Sequence, residues 1–143
     1  MKALLLAVAG SFLLSMGAHA GDAWMTDYDA AVKKAKAENK SILMDFTGSD
    51  WCGWCIKLKK EVFDTPEFQK YAADNLILLE LDFPRKKAQS PQEKAQNEKL
   101  QQKYKIEGYP TIIVLNDKEK QIGQMGYVPG GPSAFISELK KLK

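Results

Sequence analysis

Histidine is nearly absent from this 143-residue sequence, and it has only two cysteines. The single histidine, His19, lies in an N-terminal segment that we expect to be removed, so the mature chain has none. This absence excludes Cys-His proteolysis and any histidine general base. Two cysteines fall short of the four Cys/His ligands of a structural zinc site. We expect no resident metal and no other cofactor.

A strong charge of one sign is also missing. The formal net charge is +3, and no basic stripe runs along the sequence. This balance argues against nucleic acid as a partner. The lysines, including Lys57, Lys59 and Lys60, are interpreted as the solvated faces of helices.

The N-terminal segment has the features of an export signal. Lys2 supplies a positive charge, residues 3–16 are almost continuously apolar, and the triplet Ala-His-Ala offers small residues at the cleavage-defining positions. The apolar run is shorter than the roughly 20 residues that span a membrane. We therefore expect residues 1–20 to be a cleaved signal peptide. The remainder, residues 21–143, is predicted to be one soluble, monomeric domain in the periplasm, with the extracellular space as the alternative.

Hydrophobic periodicity predicts helices and strands in alternation. We expect strands over 41–46, 76–82, 111–115 and 121–127, and helices over 22–40, from Cys52 onward, over 65–73, from Pro91 towards Tyr104, and over 132–142. This order predicts an α/β fold with a mixed central sheet and helices on both faces. The polar stretch at about 84–98 is interpreted as a solvated insertion.

Both cysteines lie in the run Trp51-Cys52-Gly53-Trp54-Cys55. A two-residue spacer at the start of a helix brings the two sulfurs within disulfide reach. The positive end of the helix lowers the pKa of the first thiol, so thiolate exists near neutral pH. The pattern predicts redox chemistry, although Cys-x-x-Cys on its own also occurs in metal sites.

Two further motifs accompany the cysteines. Asp45-Phe46 lies on the strand before them, and Gly108-Tyr109-Pro110-Thr111 precedes a later strand. Together the three motifs resemble the thioredoxin family over essentially the whole mature chain. The stretch from Phe46 to Cys52 and the later Glu61-Val62-Phe63 are similar to exported bacterial thioredoxin-like proteins. The resemblance implies the thioredoxin-like fold and thiol-disulfide oxidoreductase activity.

The resemblance also implies the roles of particular residues. Cys52 would be the attacking thiolate and Cys55 the resolving thiol, and the two would form a redox-active disulfide. Asp45 would be a buried proton acceptor, because loss of hydration between Met44 and Phe46 raises the pKa of a carboxyl group. The alternative for Asp45 is a partly solvated carboxylate at the end of a strand.

Substrate contacts follow from the same resemblance. Pro110 would be a cis proline that leaves the backbone groups of Tyr109 free to pair with a substrate strand, and an ordinary trans proline is the alternative. Trp51, Gly53 and Trp54 would complete the binding surface. The two tryptophans are equally compatible with a packing role.

The sequence departs from thioredoxin in the surroundings of these residues. Trp54 replaces the proline that is usual between the cysteines, and the loop from Asp45 to Cys52 is one residue longer. The strand over 76–82 lacks the lysine that thioredoxin often has near its buried acid. We therefore expect the pKa of Asp45 to be set differently from that of the buried acid in thioredoxin.

The resemblance implies an enzyme that reduces disulfides in exported proteins. Its partners would be disulfide- or thiol-containing exported proteins and a membrane-embedded electron donor. An oxidase or isomerase is the alternative within the same class. Outside that class, the alternatives are a module that binds client proteins and one that holds Cu(I) on two thiolates.

Overall fold

The computed structural model describes residues 23–142, so the expected signal peptide, its cleavage site and His19 lie outside the described residues. The elements in chain order are β1 (Trp24–Met25), α1 (Tyr28–Glu38), β2 (Ser41–Thr47), α2 (Gly53–Leu58), a π-helical turn (Lys59–Phe63), α3 (Pro66–Asn75), β3 (Leu76–Asp82), α4 (Pro91–Lys103), β4 (Thr111–Leu115), β5 (Gln121–Met125) and α5 (Gly131–Leu139). None of the helices within residues 23–142 has the length and apolar character needed to cross a membrane.

The strands form one mixed sheet in the order β1-β3-β2-β4-β5. Strands β1, β3 and β2 run parallel to one another, whereas β4 and β5 continue the sheet in antiparallel pairing. One face packs against α3, α5 and the π-helical turn, and the other packs against α1 and α4. The predicted α/β fold, with helices on both faces of a mixed sheet, is confirmed.

Several predicted boundaries are confirmed. Strands β3 and β4 have the predicted bounds, 76–82 and 111–115. Thr65 caps α3, with Pro66 at its first position, although the helix continues to Asn75. Ser90 caps α4, which begins at Pro91 as predicted. Each of these boundaries carries a local signal, either a capping residue followed by proline or an unbroken apolar run.

The chain differs from the prediction at its start and at its end. The periodicity predicts a helix over 22–40 that includes Trp24, but Trp24 lies in β1 and pairs with β3 opposite Leu78. The helix starts only after Asp27, whose side chain accepts a hydrogen bond from the N–H of Ala30 at 2.8 Å and so caps α1. The predicted strand over 121–127 is shorter, and so is the predicted helix over 132–142; the structure has β5 and α5 in their place.

Candidate active site

The two cysteines lie at the N-terminus of α2. They form a disulfide with a Cα–Cα distance of 5.2 Å, and both are buried. Cys52 is the N-cap residue, and its Sγ accepts a hydrogen bond from the N–H of Cys55 at 3.2 Å. When the disulfide is reduced, this N–H and the positive helix end can stabilise a thiolate on Cys52. The position of Cys52 as the N-cap of α2 confirms the prediction that a helix begins at the cysteines.

The loop before the cysteines is held against the C-terminal end of β3 and the residue that follows it. The Ser49 hydroxyl donates to the Asp82 carboxylate at 2.6 Å, and the indole N–H of Trp51 donates to the carbonyl of Phe83 at 2.7 Å. A Cβ at Gly48 would clash with the Trp51 ring, so a larger residue at this position would displace the tryptophan. These contacts fix the position of the tryptophan that precedes Cys52.

Asp50 connects the same loop to the polar stretch. Its carboxylate accepts hydrogen bonds from three consecutive N–H groups, those of Arg85 at 3.0 Å, Lys86 at 2.8 Å and Lys87 at 2.9 Å. The bond from Arg85, followed by those from the other two amides, lowers the pKa of Asp50. No sequence signal links position 50 to positions 85–87, so Asp50 was not predicted as part of the site.

Aromatic side chains surround the cysteines. The Trp51 ring meets the Tyr109 ring edge-on at 5.7 Å, and the Arg85 guanidinium lies 3.7 Å above Trp51. Trp54 is 57% exposed, and its ring lies 5.0 Å from that of Tyr127. Of the predicted substrate contacts, Trp54 and its neighbour Gly53 are therefore exposed, whereas Trp51 and Tyr109 pack against each other.

The Tyr109–Pro110 peptide bond is cis, as the resemblance implied. Pro110 is half-buried immediately before β4, and the Thr111 hydroxyl donates to the carbonyl of Gly108 at 2.7 Å. Strand β4 pairs with β2, the strand that leads into the cysteine loop. The motif Gly108-Tyr109-Pro110-Thr111 therefore leads into the strand that lies beside the one carrying Asp45.

Asp45 lies on β2 and is 7% exposed. Its Oδ1 atom is buried and has no hydrogen-bond partner among the described residues. Burial, with smaller contributions from the carboxyl groups of Glu80 and Asp82, raises the pKa of Asp45 well above its usual range. Asp45 and Cys55 line one cavity of about 30 Å³, which has room for a water molecule. Asp45 is therefore a buried acid and not a solvated carboxylate at the end of a strand.

Comparison with known proteins decides the family. The profile of the thioredoxin-like domain matches residues 28–143, nearly the whole of the described chain. The chain belongs to the thioredoxin-like family. It is a thiol-disulfide oxidoreductase, and the Cys52–Cys55 disulfide is its active-site pair.

Two individual relatives of this thioredoxin-like protein come from one bacterium. It is 37% identical over 113 residues to the disulfide bond reductase DsbH of Chlamydia pneumoniae, covering 79% of this chain and 68% of that protein. It is 35% identical over 103 residues to the thioredoxin-related protein DsbJ of the same organism, but it spans only 30% of that longer protein.

Solved structures support the same assignment. The structure of a DsbH oxidoreductase superposes with a TM-score of 0.78 at 36% identity, covering 82% of this chain and 81% of that one. A thioredoxin from Thermus thermophilus, at 17% identity and a TM-score of 0.62, shares the fold. Family membership implies that the substrates are proteins with thiols or disulfides.

Proposed function

We propose that the protein is a periplasmic reductase of disulfides in exported proteins. The thiolate of Cys52 attacks one sulfur of a client disulfide and forms a mixed disulfide, and the other client sulfur leaves as a thiolate. Cys55 then attacks Sγ of Cys52, which closes the Cys52–Cys55 disulfide and releases the second client thiol. The client gains two electrons, and the enzyme dithiol loses two.

The observation that carries this proposal is the position of Cys52 at the head of α2, where its Sγ accepts the N–H of Cys55. Only a thiolate is an effective nucleophile, and this position favours the thiolate. The similarity to a protein named disulfide bond reductase supports reduction as the direction. Burial of Asp45 beside the cavity that Cys55 lines supports Asp45 as the group that takes the proton of Cys55.

Substrate docking is proposed for the surface around the disulfide. Trp54 and Gly53 are exposed next to the cysteines, and the Trp51–Tyr109 pair flanks them. Aromatic rings supply large apolar contact area to a bound peptide. The backbone of Tyr109 and Pro110, just before β4, is proposed to pair with an extended client segment.

The periplasmic location and the electron donor are also proposals. Export rests on the signal-like residues 1–20, and an oxidising compartment requires a source of electrons, for which we propose a membrane-embedded donor. Expression of the full chain in a bacterium should give a periplasmic protein whose N-terminus is Gly21. A cytoplasmic protein with an intact N-terminus would contradict the location.

Catalytic turnover separates the enzyme from a client-binding module. With a chemical reductant in excess, the protein should reduce many equivalents of a protein disulfide. The Cys52→Ser/Cys55→Ser double variant is the matched control, because it keeps the docking surface and lacks the dithiol. Equal binding of client by both proteins, with no turnover by either, would support the binding module.

A further inference from the structure

A second carboxyl group accompanies Asp45 beneath the disulfide. In the parallel pairing of β2 with β3, Asp45 lies directly opposite Glu80. Both side chains line the cavity of about 30 Å³ that Cys55 also lines, so they project from the same face of the sheet. Glu80 occupies the strand that lacks the lysine expected from thioredoxin. This strand therefore places an acid directly opposite the buried aspartate.

The cations near this pair are bound to other carboxylates. The charged groups that act on Glu80 are Asp82, Lys87, Lys59 and Glu93, and Glu80 in turn acts on Asp45. Lys59 also lines the cavity. Lys59 contacts Asp64 at 2.7 Å, and Lys87 contacts Asp82 at 3.0 Å.

Within residues 23–142, neither Asp45 nor Glu80 forms an ion pair. Burial first, and then the Asp82 carboxylate, raises the pKa of Glu80. Asp45 and Glu80 lie close enough that ionisation of one opposes ionisation of the other.

We propose that Asp45 and Glu80 work as a coupled carboxyl pair in the step that releases the client. Asp45 takes the proton from the Cys55 thiol, and Glu80 is a positioning residue that acts through Asp45. This inference rests on the proposed function and adds to it the residue that sets the pH range of release.

The chemical reason is the strength of Asp45 as a base. An isolated aspartate, with a pKa near 3.9, is a poor acceptor for a thiol proton, whose pKa is about 8.5. A negative charge on Glu80 raises the pKa of Asp45 and so reduces the difference between the pKa values of the carboxyl group and the thiol. Once the proton has moved to Asp45, the Cys55 thiolate attacks Sγ of Cys52. The bond between Cys52 and the client sulfur breaks, and the client sulfur leaves with the electron pair.

The test separates attack from release in one turnover. The reduced mature protein, residues 21–143, is mixed with a chromogenic aromatic disulfide between pH 5 and 9, a range that includes the thiol pKa of about 8.5. The first coloured thiolate reports attack by Cys52, and the second reports release by Cys55. The variants are Glu80→Gln, which keeps the size of the side chain, Glu80→Lys, which introduces a cation, and Glu107→Gln, which removes an exposed carboxylate as the control.

For Glu80→Gln, the pH midpoint of the release phase should fall by about one unit, the coupling expected for interacting carboxyl groups. Glu80→Lys should lower the midpoint further, and Glu107→Gln should leave it in place. In an Asp45→Asn background, Glu80→Gln should cause no further shift, because its effect passes through Asp45.

An unchanged release midpoint in both Glu80 variants would overturn the inference. So would a Glu80→Gln shift that persists in the Asp45→Asn background, because Glu80 would then act on the thiols directly. Failure of the proposed function gives a different result. The wild-type protein would then fail to turn over a protein disulfide with a chemical reductant in excess, whereas failure of this inference leaves that turnover intact.

Discussion

Replacing Cys52 with serine should abolish disulfide reduction, whereas replacing Cys55 with serine should leave the attack intact and trap clients covalently. Cys52 caps α2, where the helix end and the N–H of Cys55 can stabilise its thiolate. Cys55 lies within the helix, beside the cavity that Asp45 lines, and its task is to close the disulfide. Without Cys55 the mixed disulfide has no internal thiol to release it.

Non-reducing electrophoresis of a periplasmic extract from cells that express each variant measures this effect. Cys55→Ser should give adducts that disappear on reduction, and the Cys52→Ser/Cys55→Ser double variant should give none. Turnover of a protein disulfide should fall to the background rate for Cys52→Ser. Adducts formed by Cys52→Ser but not by Cys55→Ser would reverse the two roles.

Replacing Asp45 with asparagine should make the stability of the fold less dependent on pH. Burial raises the pKa of Asp45 above its value in the unfolded chain. Between these two pKa values the native state retains a proton that the unfolded state has lost, so stability falls as pH rises. The slope is at most about 1.4 kcal/mol per pH unit, and it begins near the unfolded aspartate pKa of about 3.9. Below that pH both states hold the proton, so stability no longer changes with pH through Asp45.

Denaturant unfolding of the oxidised protein at a series of pH values measures the effect. The free energy of unfolding of Asp45→Asn, relative to wild type, should rise by at least about 1 kcal/mol between pH 4 and pH 8. Burial of the asparagine amide would change the free energy of unfolding by the same amount at every pH. The change between pH 4 and pH 8 therefore tests the native pKa of Asp45. The control is Asp74→Asn, which alters an exposed aspartate. A difference that stays flat with pH would contradict a raised native pKa.

The central features of the site are visible in the sequence because they are local. A two-residue spacer and a following helix are enough to pair Cys52 with Cys55, and one acid in an apolar strand marks Asp45. Strands β3 and β4 were predicted with correct bounds because each is an apolar run that ends at a clear boundary. The prediction that Trp24 lies in a helix was wrong, because its four-residue spacing to Tyr28 fits a helix and β1 is only 2 residues long.

The remaining features depend on which strands are neighbours. Glu80 becomes significant only when β3 pairs with β2 in the register that places it opposite Asp45. The missing lysine on this strand was the one signal in the sequence. It indicated an altered pKa of Asp45 but did not identify Glu80 as the cause. The contacts of Asp50 and Trp51 with residues after β3 likewise join positions more than 30 apart in the chain. Periodicity and local motifs contain no information about such contacts.

The equilibrium reduction potential of the Cys52–Cys55 pair tests the proposed direction of the reaction most directly. The oxidised and reduced fractions are measured against a series of glutathione redox buffers, with the Cys52→Ser/Cys55→Ser variant as the blank. A reductase should have a potential near that of thioredoxin, about −270 mV, so that electrons flow from the dithiol to client disulfides. A potential near −120 mV, the range of a strong exported oxidant, would contradict the reductase and favour disulfide formation.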